Sequence, residues 1–208
     1  MQPKIICLAI TGASGFPYAM RLLHCLLQGG HKVYLLVSDA AREVARLEAG
    51  LQLPQESDAL KSFLLQHIGL EQAALQVFSR TDWLSPVASG SSHVDAMVVC
   101  PCSTGTLSAI ANGNSNNLIE RAATVALKEH RRLILLPREM PVSAIQLEQM
   151  HKLALMGVRI LPASPGFYHQ PQSVGDMVDF VVARILQQLE LPQQLVAPWG
   201  ESDFSENA

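Results

Sequence analysis

The fold is decided by one stretch of sequence, IICLAITGASGFPYA at residues 5–19. Its apolar start predicts a strand over Ile5–Ile10, which a turn of small residues connects to a helical pattern. Gly12, Ala13 and Gly15 allow backbone N–H groups to approach a ligand, and a helix start supplies unpaired donors and a partial positive charge. The turn therefore suits a phosphate, although a strand–glycine–helix turn without the GxGxxG pattern is also common as simple chain geometry.

The same alternation of an apolar strand with a helical pattern continues along the chain. Short strands that are apolar throughout and separated by helices are typical of a parallel sheet covered on both faces. We therefore predict a three-layer α/β/α fold with a flavodoxin- or Rossmann-like parallel sheet, as a single domain over residues 1–200 with a flexible tail at 201–208. Residues 50–93 break the alternation and are expected to form subunit contacts or a lid. The further predicted strands and helices are Val33–Val37 with Ala40–Leu47, Met97–Cys100 with Thr104–Ala111, Leu133–Leu136 with Ser143–Met156, and Val158–Leu161 with Val174–Leu189.

Composition excludes several classes of protein. The 208 residues are 49% hydrophobic and 16% charged, which is enough apolar material for one well-buried domain. A net charge of −3 argues against a nucleic-acid partner, and no apolar stretch is long enough to predict a membrane span. Without a signal peptide pattern, we expect a cytoplasmic protein. The four cysteines and seven histidines have no metal-ligand spacing, so no metal is predicted and buried thiols are expected.

Hydroxyl side chains stand at most of the predicted strand ends, where ligands bind in sheets of this kind. Ser38, Ser103 and Ser143 are each explained as helix N-caps when taken singly. Taken together, the strand ends favour one shared ligand, to which Arg138 adds a fixed guanidinium fork for an anion.

A second group of cations lies further along the chain. Arg121 and Lys128 are seven residues apart, two turns along one helical face. Either they hold a phosphate together, or they belong to a solvated helix face.

Five segments, in this order, give the chain a specific resemblance. They are TGASG (11–15), PCSTGTLSAIA (101–111), NNLIERAA with VALKE (116–123 and 125–129), PRE-P (137–141) and GFYHQPQS (166–173). The chain resembles the UbiX-type flavin prenyltransferases over essentially its whole length. The resemblance implies flavodoxin-like subunits in a homo-dodecamer, with the active site between subunits. It also implies transfer of a dimethylallyl group from dimethylallyl phosphate to reduced FMN, giving prenylated FMN for UbiD-type decarboxylases, as in ubiquinone biosynthesis.

Matching these motifs residue by residue implies a set of site residues. The implied FMN contacts are Gly12, Ala13, Ser14, Ser38, Ser103, Thr104, Gly105, Thr106 and Arg138. The implied binding residues for dimethylallyl phosphate are Tyr168, Arg184, Arg121 and Lys128. The implied catalytic residues are Ser14, Glu48, Arg121, Lys128, Glu139 and Trp199. The residue types suit the reaction, because cations stabilise a leaving phosphate and aromatic faces stabilise an allylic cation. A single phosphate held by side chains needs no Mg²⁺.

Two other functions remain as alternatives. One is an FMN-dependent decarboxylase of a cysteine-containing substrate, since PCSTGTLSAIANG also resembles that group; its histidine base and substrate clamp are not found in this sequence. The other is a flavin carrier without catalysis, which would not need the cations Arg121 and Lys128 or the acid Glu139.

Overall fold

Every strand of the sheet runs in the same direction. The computed structural model describes residues 2–200, which form a parallel sheet with the strand order β3-β2-β1-β4-β5-β6. This is the doubly wound Rossmann order, and it confirms the predicted fold class. The strands are β1 (Ile5–Ile10), β2 (Lys32–Val37), β3 (Leu75–Phe78), β4 (Ala96–Cys102), β5 (Arg132–Pro137) and β6 (Arg159–Ile160). The helices are α1 (Phe16–Gln28), α2 (Asp39–Ala49), α3 (Ser57–Ile68), α4 (Thr104–Ala111), α5 (Leu118–Lys128), α6 (Ala144–Leu155) and α7 (Val174–Gln188).

Helices cover both faces of the sheet. Alternate residues of β1 enter different cores: Ile6 and Leu8 pack on one face, and Cys7 and Ala9 on the other. Helices α1, α2, α3 and α7 cover the first face, while α4, α5 and α6 cover the second. Because both faces are buried, the strands are apolar at nearly every position and do not alternate with polar residues.

The segment 50–93 was expected to interrupt the alternation, and for residues 57–78 that expectation is wrong. Helix α3 and strand β3 continue the pattern, and β3 pairs with β2 at the edge of the sheet. The remainder, including a short 3₁₀ turn at Pro86–Ala88, has little regular structure. Its proposed use as a lid or a subunit contact stays a prediction.

The sequence predicts a flexible tail and no membrane span. The flexible tail predicted at 201–208 lies outside the described residues. Between residues 2 and 200, no helix combines the length and the apolar character needed to cross a bilayer.

The order of the strands places a crevice between β1 and β4. Strand β1 leads to β2 on one side, whereas the later strands β4, β5 and β6 extend the sheet on the other. Ligands of doubly wound sheets bind at this reversal, outside the carboxyl ends of the strands. The turns that follow β1, β2, β4 and β5 therefore form the candidate site.

Candidate active site

A buried threonine ties the two sides of the crevice together. The Oγ1 of Thr11, which is 1% exposed, donates a hydrogen bond to the carbonyl oxygen of Pro101 (2.8 Å). It also accepts one from the backbone N–H of Ser103 (2.8 Å). Both its donor and an acceptor position are used within the protein. Thr11 therefore fixes the spacing of the ends of β1 and β4, a structural role that sequence reasoning missed.

The first turn of α1 is not an open anion site. The carboxylate of Glu48 accepts hydrogen bonds from the N–H groups of Gly15 (3.0 Å) and Phe16 (2.9 Å). Pro17 has no N–H, and the N–H of Tyr18 donates to the carbonyl of Gly15 (3.1 Å). The expectation that this helix start offers unpaired donors to a phosphate is therefore wrong, because a side chain already fills it.

Free donors are found instead just before this helix and at the start of α4. The backbone N–H groups of Gly12 and Ser14 have no hydrogen-bond partner among residues 2–200, and neither do those of Thr104 and Gly105. A Cβ added at Gly105 would meet no atom within 4 Å, so the start of α4 is open. The N-terminus of α4, with the turn after β1 beside it, therefore offers donors to an anion.

Glycine at position 12 has a packing cause as well. A Cβ there would lie 2.4 Å from the Cβ of Ala40 at the start of α2. The lack of a side chain lets α2 pack directly against the turn.

The serines after β2 and β4 cap helices. The Oγ of Ser38 accepts the N–H of Ala41 (3.1 Å), and the Oγ of Ser103 accepts that of Thr106 (3.3 Å). The N-cap interpretation of both is thus confirmed. Ser103 also donates its hydroxyl proton to Thr106 Oγ1 (3.0 Å), whereas the proton of Ser38 has no acceptor among the described residues. Their contacts to FMN stay predictions.

Arg138 carries a clear sign of a ligand-binding role. Its Nε is buried and makes no hydrogen bond to any residue of the described chain. Pro137 pairs with Cys102 in the sheet, so Arg138 lies beside Ser103 at the next strand end. A buried guanidinium N–H without an acceptor costs free energy that a bound anion or carbonyl would recover.

Register places these groups in one row. Ser38, Gly12, Ser103 and Arg138 follow the adjacent strands β2, β1, β4 and β5. At about 4.8 Å per strand spacing, the row extends over roughly 14 Å. The structure therefore brings the predicted FMN residues together.

Glu139 extends the site outward from this row. Its side chain is exposed, and its Oε1 accepts the N–H of Met140 (3.2 Å). The carboxylate has further lone pairs that can accept a proton from a ligand.

Tyr18 lies under the turn with a half-buried ring. Burial raises the pKa of the Tyr18 phenol, and the neighbouring Cys100 and Glu48 raise it further. The phenol is therefore protonated at neutral pH and does not act as a base.

An aromatic cluster lies beyond the last strand. The ring of Tyr168 meets Trp199 edge-on at 4.6 Å and Phe180 at 5.5 Å between centroids. The ring of His169 stacks on Phe180 at 5.0 Å, and both its nitrogens are buried without a partner among the described residues. Tyr168, His169 and Trp199 line a cavity of about 570 Å³. Nothing in the sequence marked Phe180 or His169 apart from the position of His169 beside Tyr168.

Arg184 lies close to this cluster but opens into a different space. It follows Phe180 by one turn of α7, and both line a pocket of about 310 Å³ together with Leu136 and Ser164. Its Nη1 donates to Gln187 (2.6 Å). Phe180 therefore contacts Tyr168 while also lining the pocket of Arg184.

Lys128 does not join these residues within one subunit, and Arg121 is bonded elsewhere. Helix α5 runs towards the amino end of the sheet, and Lys128 lies only four residues before β5 begins at Arg132. Glu139 follows the opposite end of β5, about 16 Å further along the strand. Arg121 donates to the carbonyl of Ala88 (3.0 Å), and Lys128 pairs with Glu129.

The described part of the chain contains no group of three or more His, Cys, Asp or Glu side chains placed to hold a metal ion. Cys7, Cys100 and Cys102 are buried, and Cys25 is half-buried.

Comparison with known proteins identifies the family. A family model described as Flavoprotein matches residues 1–186. Flavin prenyltransferase UbiX from Pseudomonas aeruginosa is 56% identical over 199 residues, which cover 96% of this chain and 95% of that protein. The chain belongs to the UbiX flavin prenyltransferases. Members of this family from distant organisms remain similar, such as the one from Methanothermobacter thermautotrophicus at 42% identity over 97% of this chain and 98% of that protein.

Solved structures of family members have the same fold. One is AnUbiX (PadA1) in complex with FMN and dimethylallyl pyrophosphate, with a TM-score of 0.85 and 33% identity over 95% of this chain and 98% of that one. Another is a dodecameric FMN-dependent UbiX-like decarboxylase from Escherichia coli O157:H7, with a TM-score of 0.82 and 36% identity over 94% and 98%. The names of these relatives include both a prenyltransferase and a decarboxylase.

Proposed function

We propose that this chain transfers a dimethylallyl group from dimethylallyl phosphate to reduced FMN and releases prenylated FMN. The observation that carries the proposal is the row of unpaired donors at four adjacent strand ends, together with an aromatic cavity that follows the last strand of the same sheet. The donors suit a flavin and its phosphate, and the aromatic cavity suits an apolar allylic group. The relative solved with FMN and dimethylallyl pyrophosphate supports the pairing of these two ligands.

The residues present fit FMN. The unpartnered Nε of Arg138 and the free N–H groups of Gly12 and Ser14 offer donors to an anion or a carbonyl, and the start of α4 has room for it. Reduced FMN supplies the electron-rich ring atoms to which the prenyl group is joined. The chain itself must hold the prenyl phosphate, exclude water and remove one proton from the flavin ring.

Leaving-group departure is the step in which the cations act. Breaking the allylic C–O bond leaves both electrons on the phosphate, so fixed positive charge lowers the barrier. We assign this stabilisation to the hydroxyl of Tyr168 and to Arg184, which lines the neighbouring pocket and shares the contact residue Phe180 with Tyr168. The faces of Tyr168 and Trp199 stabilise the allylic cation without reacting with it.

Formation of a second bond to the prenyl group, at flavin C6, would require loss of the proton on this carbon, and we assign the removal of that proton to Glu139. The carboxylate is exposed at the strand end beside Arg138 and has a free acceptor position. The departed phosphate is the alternative base. Ser14 and Glu48 lie at the turn after β1, where Glu48 holds the turn through two N–H groups.

The position of Lys128 supports a site built from more than one subunit. Because Lys128 and Glu139 belong to opposite ends of the sheet, a lysine acting on the prenyl phosphate must come from a neighbouring copy. The dodecameric relative supports an assembly of this kind, and we assign the same role to Arg121. A UbiD-type decarboxylase in the cytoplasm is proposed to receive the product.

Substitution of Glu139 tests the assigned chemistry. Glu139→Gln keeps the shape and removes the base, so prenylation is expected to slow by about 100-fold or more while FMN still binds. Glu148→Gln, an exposed carboxylate on α6, is the matched control and leaves the rate unchanged. An unchanged rate in Glu139→Gln would contradict the assignment and would make the departed phosphate the base.

Mixed assemblies test the shared site. Lys128→Ala and Ser14→Ala proteins are each expected to be nearly inactive, and refolding them together restores part of the activity, because some sites then contain both intact residues. Lys152→Ala, an exposed lysine on α6, controls for the loss of charge. Well-assembled mixtures without recovered activity would place Lys128 and Ser14 in one subunit.

A further inference from the structure

The amino end of the sheet holds a cavity whose wall contains none of the residues assigned to prenyl transfer. Its volume is about 550 Å³. The lining residues precede or begin strands: Lys4 precedes β1, Asp95 precedes β4, Arg132 begins β5 and Arg159 begins β6. The cavity therefore opens at the opposite end of the sheet from the row that ends at Arg138.

Positive charge dominates the cavity wall. Four fixed cations face two carboxylates, which leaves a formal charge of +2 in a chain whose net charge is −3. The cations are Lys4, Arg131, Arg132 and Arg159, the carboxylates are Asp95 and Glu190, and His130 also lines the wall. Such a concentration of one sign in a concave site attracts anions of small size.

Two of the cations are held by neutral acceptors. The Nη2 of Arg131 donates to the carbonyls of Gly90 (2.6 Å) and Ser92 (2.5 Å). The Nζ of Lys4 donates to the carbonyl of Leu189 (2.8 Å). These bonds fix the side chains in place without cancelling their charge.

The carboxylates are largely committed to other groups. Asp95 accepts the N–H of Ile5 (2.7 Å) and pairs with His93 (3.3 Å) outside the cavity wall. Glu190 pairs with Arg132, and this pair lowers the pKa of the Glu190 carboxyl. The side chain of Arg159 makes no hydrogen bond or ion pair within residues 2–200, so its guanidinium fork is available to a ligand in the cavity.

We propose that this cavity binds a small phosphorylated anion, up to the size of a nucleoside phosphate, at a site separate from the prenyl-transfer site. Guanidinium forks match phosphate oxygens in pairs, and three of the four cations are arginines. The volume lies in the range of small-molecule sites. The ligand enters from the amino end and makes no contact with FMN bound to the same subunit.

Calorimetric titration with inorganic pyrophosphate tests the site. The assembled protein is titrated with and without saturating oxidised FMN and dimethylallyl phosphate, which together fill the carboxyl-end site without turnover. Pyrophosphate binding at one equivalent per chain is expected to persist in the filled protein and to weaken as salt rises, because the screening length shortens. Complete loss of binding in the filled protein would overturn the proposal.

Three variants locate the binding. Arg159→Gln is expected to weaken pyrophosphate binding about tenfold or more, and the control Lys152→Gln leaves it unchanged. Glu190→Gln removes a competing anion and frees Arg132, so binding is expected to tighten several-fold. Equal affinity of the Arg159→Gln and unchanged proteins overturns the assignment. Unchanged or weaker pyrophosphate binding in Glu190→Gln also overturns the assignment of the ligand to this cavity, and this test does not depend on whether Arg159→Gln folds.

Discussion

Replacement of Thr11 by valine is expected to loosen the crevice from which the whole site is built. Valine has the same shape, so no cavity forms, but the hydroxyl bonds to Pro101 O and from Ser103 N, both 2.8 Å, are lost. Two neutral hydrogen bonds contribute about 1 kcal/mol each, and the unsatisfied N–H of Ser103 adds about 1 kcal/mol. Pro101 O keeps its bond from the Thr11 N–H at 3.3 Å, so the unfolding free energy should fall by about 2–3 kcal/mol in total.

Urea unfolding at fixed protein concentration measures this loss, because assembly makes the apparent stability depend on concentration. Thr11→Ser is the matched control: it keeps the hydroxyl and loses one buried methyl, at about 1 kcal/mol. Because Thr11 positions the start of α4, FMN affinity should fall in Thr11→Val and remain near normal in Thr11→Ser. A Thr11→Val protein at least as stable as Thr11→Ser would refute the stabilising role of the Thr11 hydroxyl.

Two further predictions concern buried titratable groups. Burial lowers the pKa of His31 below its ordinary value of about 6.5. The contribution of His31 to the free energy of unfolding is therefore present above pH 6.5 and is lost as pH falls towards the lower pKa of the folded state. His31→Asn should flatten this pH dependence in urea unfolding between about pH 7 and 5, and an equally steep dependence in the variant would contradict the assignment. Burial raises the pKa of Cys7 and Cys102 to about 12 and also raises that of Cys100. Iodoacetamide at pH 8 should therefore label these thiols only after unfolding, and mass spectrometry counts the labels. Labelling of any of them in the folded protein would contradict their burial.

The parallel sheet was predictable because its strands are apolar on both faces. Ile5–Ile10 has the bounds that the apolar pattern predicts, and Thr104–Ala111 likewise. The edge strand β3 was missed because only four residues, Leu75–Phe78, form it and its middle is not fully buried. An edge strand covered on fewer sides has less need of a continuous apolar run.

The candidate site was predictable in outline and not in its internal contacts. Strand-end position follows from the alternation, so the row from Ser38 to Arg138 could be expected. The closure of the α1 start by Glu48 could not, because the two groups are 33 residues apart in sequence and meet only through the packing of α2. The separation of Lys128 from Glu139 likewise depends on the direction of α5, which helical spacing alone does not give.

The most direct test of the function is the mass of the flavin after one reaction. The purified protein is incubated without oxygen with reduced FMN and dimethylallyl phosphate, and the flavin is then released and weighed by mass spectrometry. We predict FMN that carries one added five-carbon unit. No such product is expected when either substrate is omitted from the incubation. Unmodified FMN from a well-assembled protein that binds both ligands would contradict the proposed function.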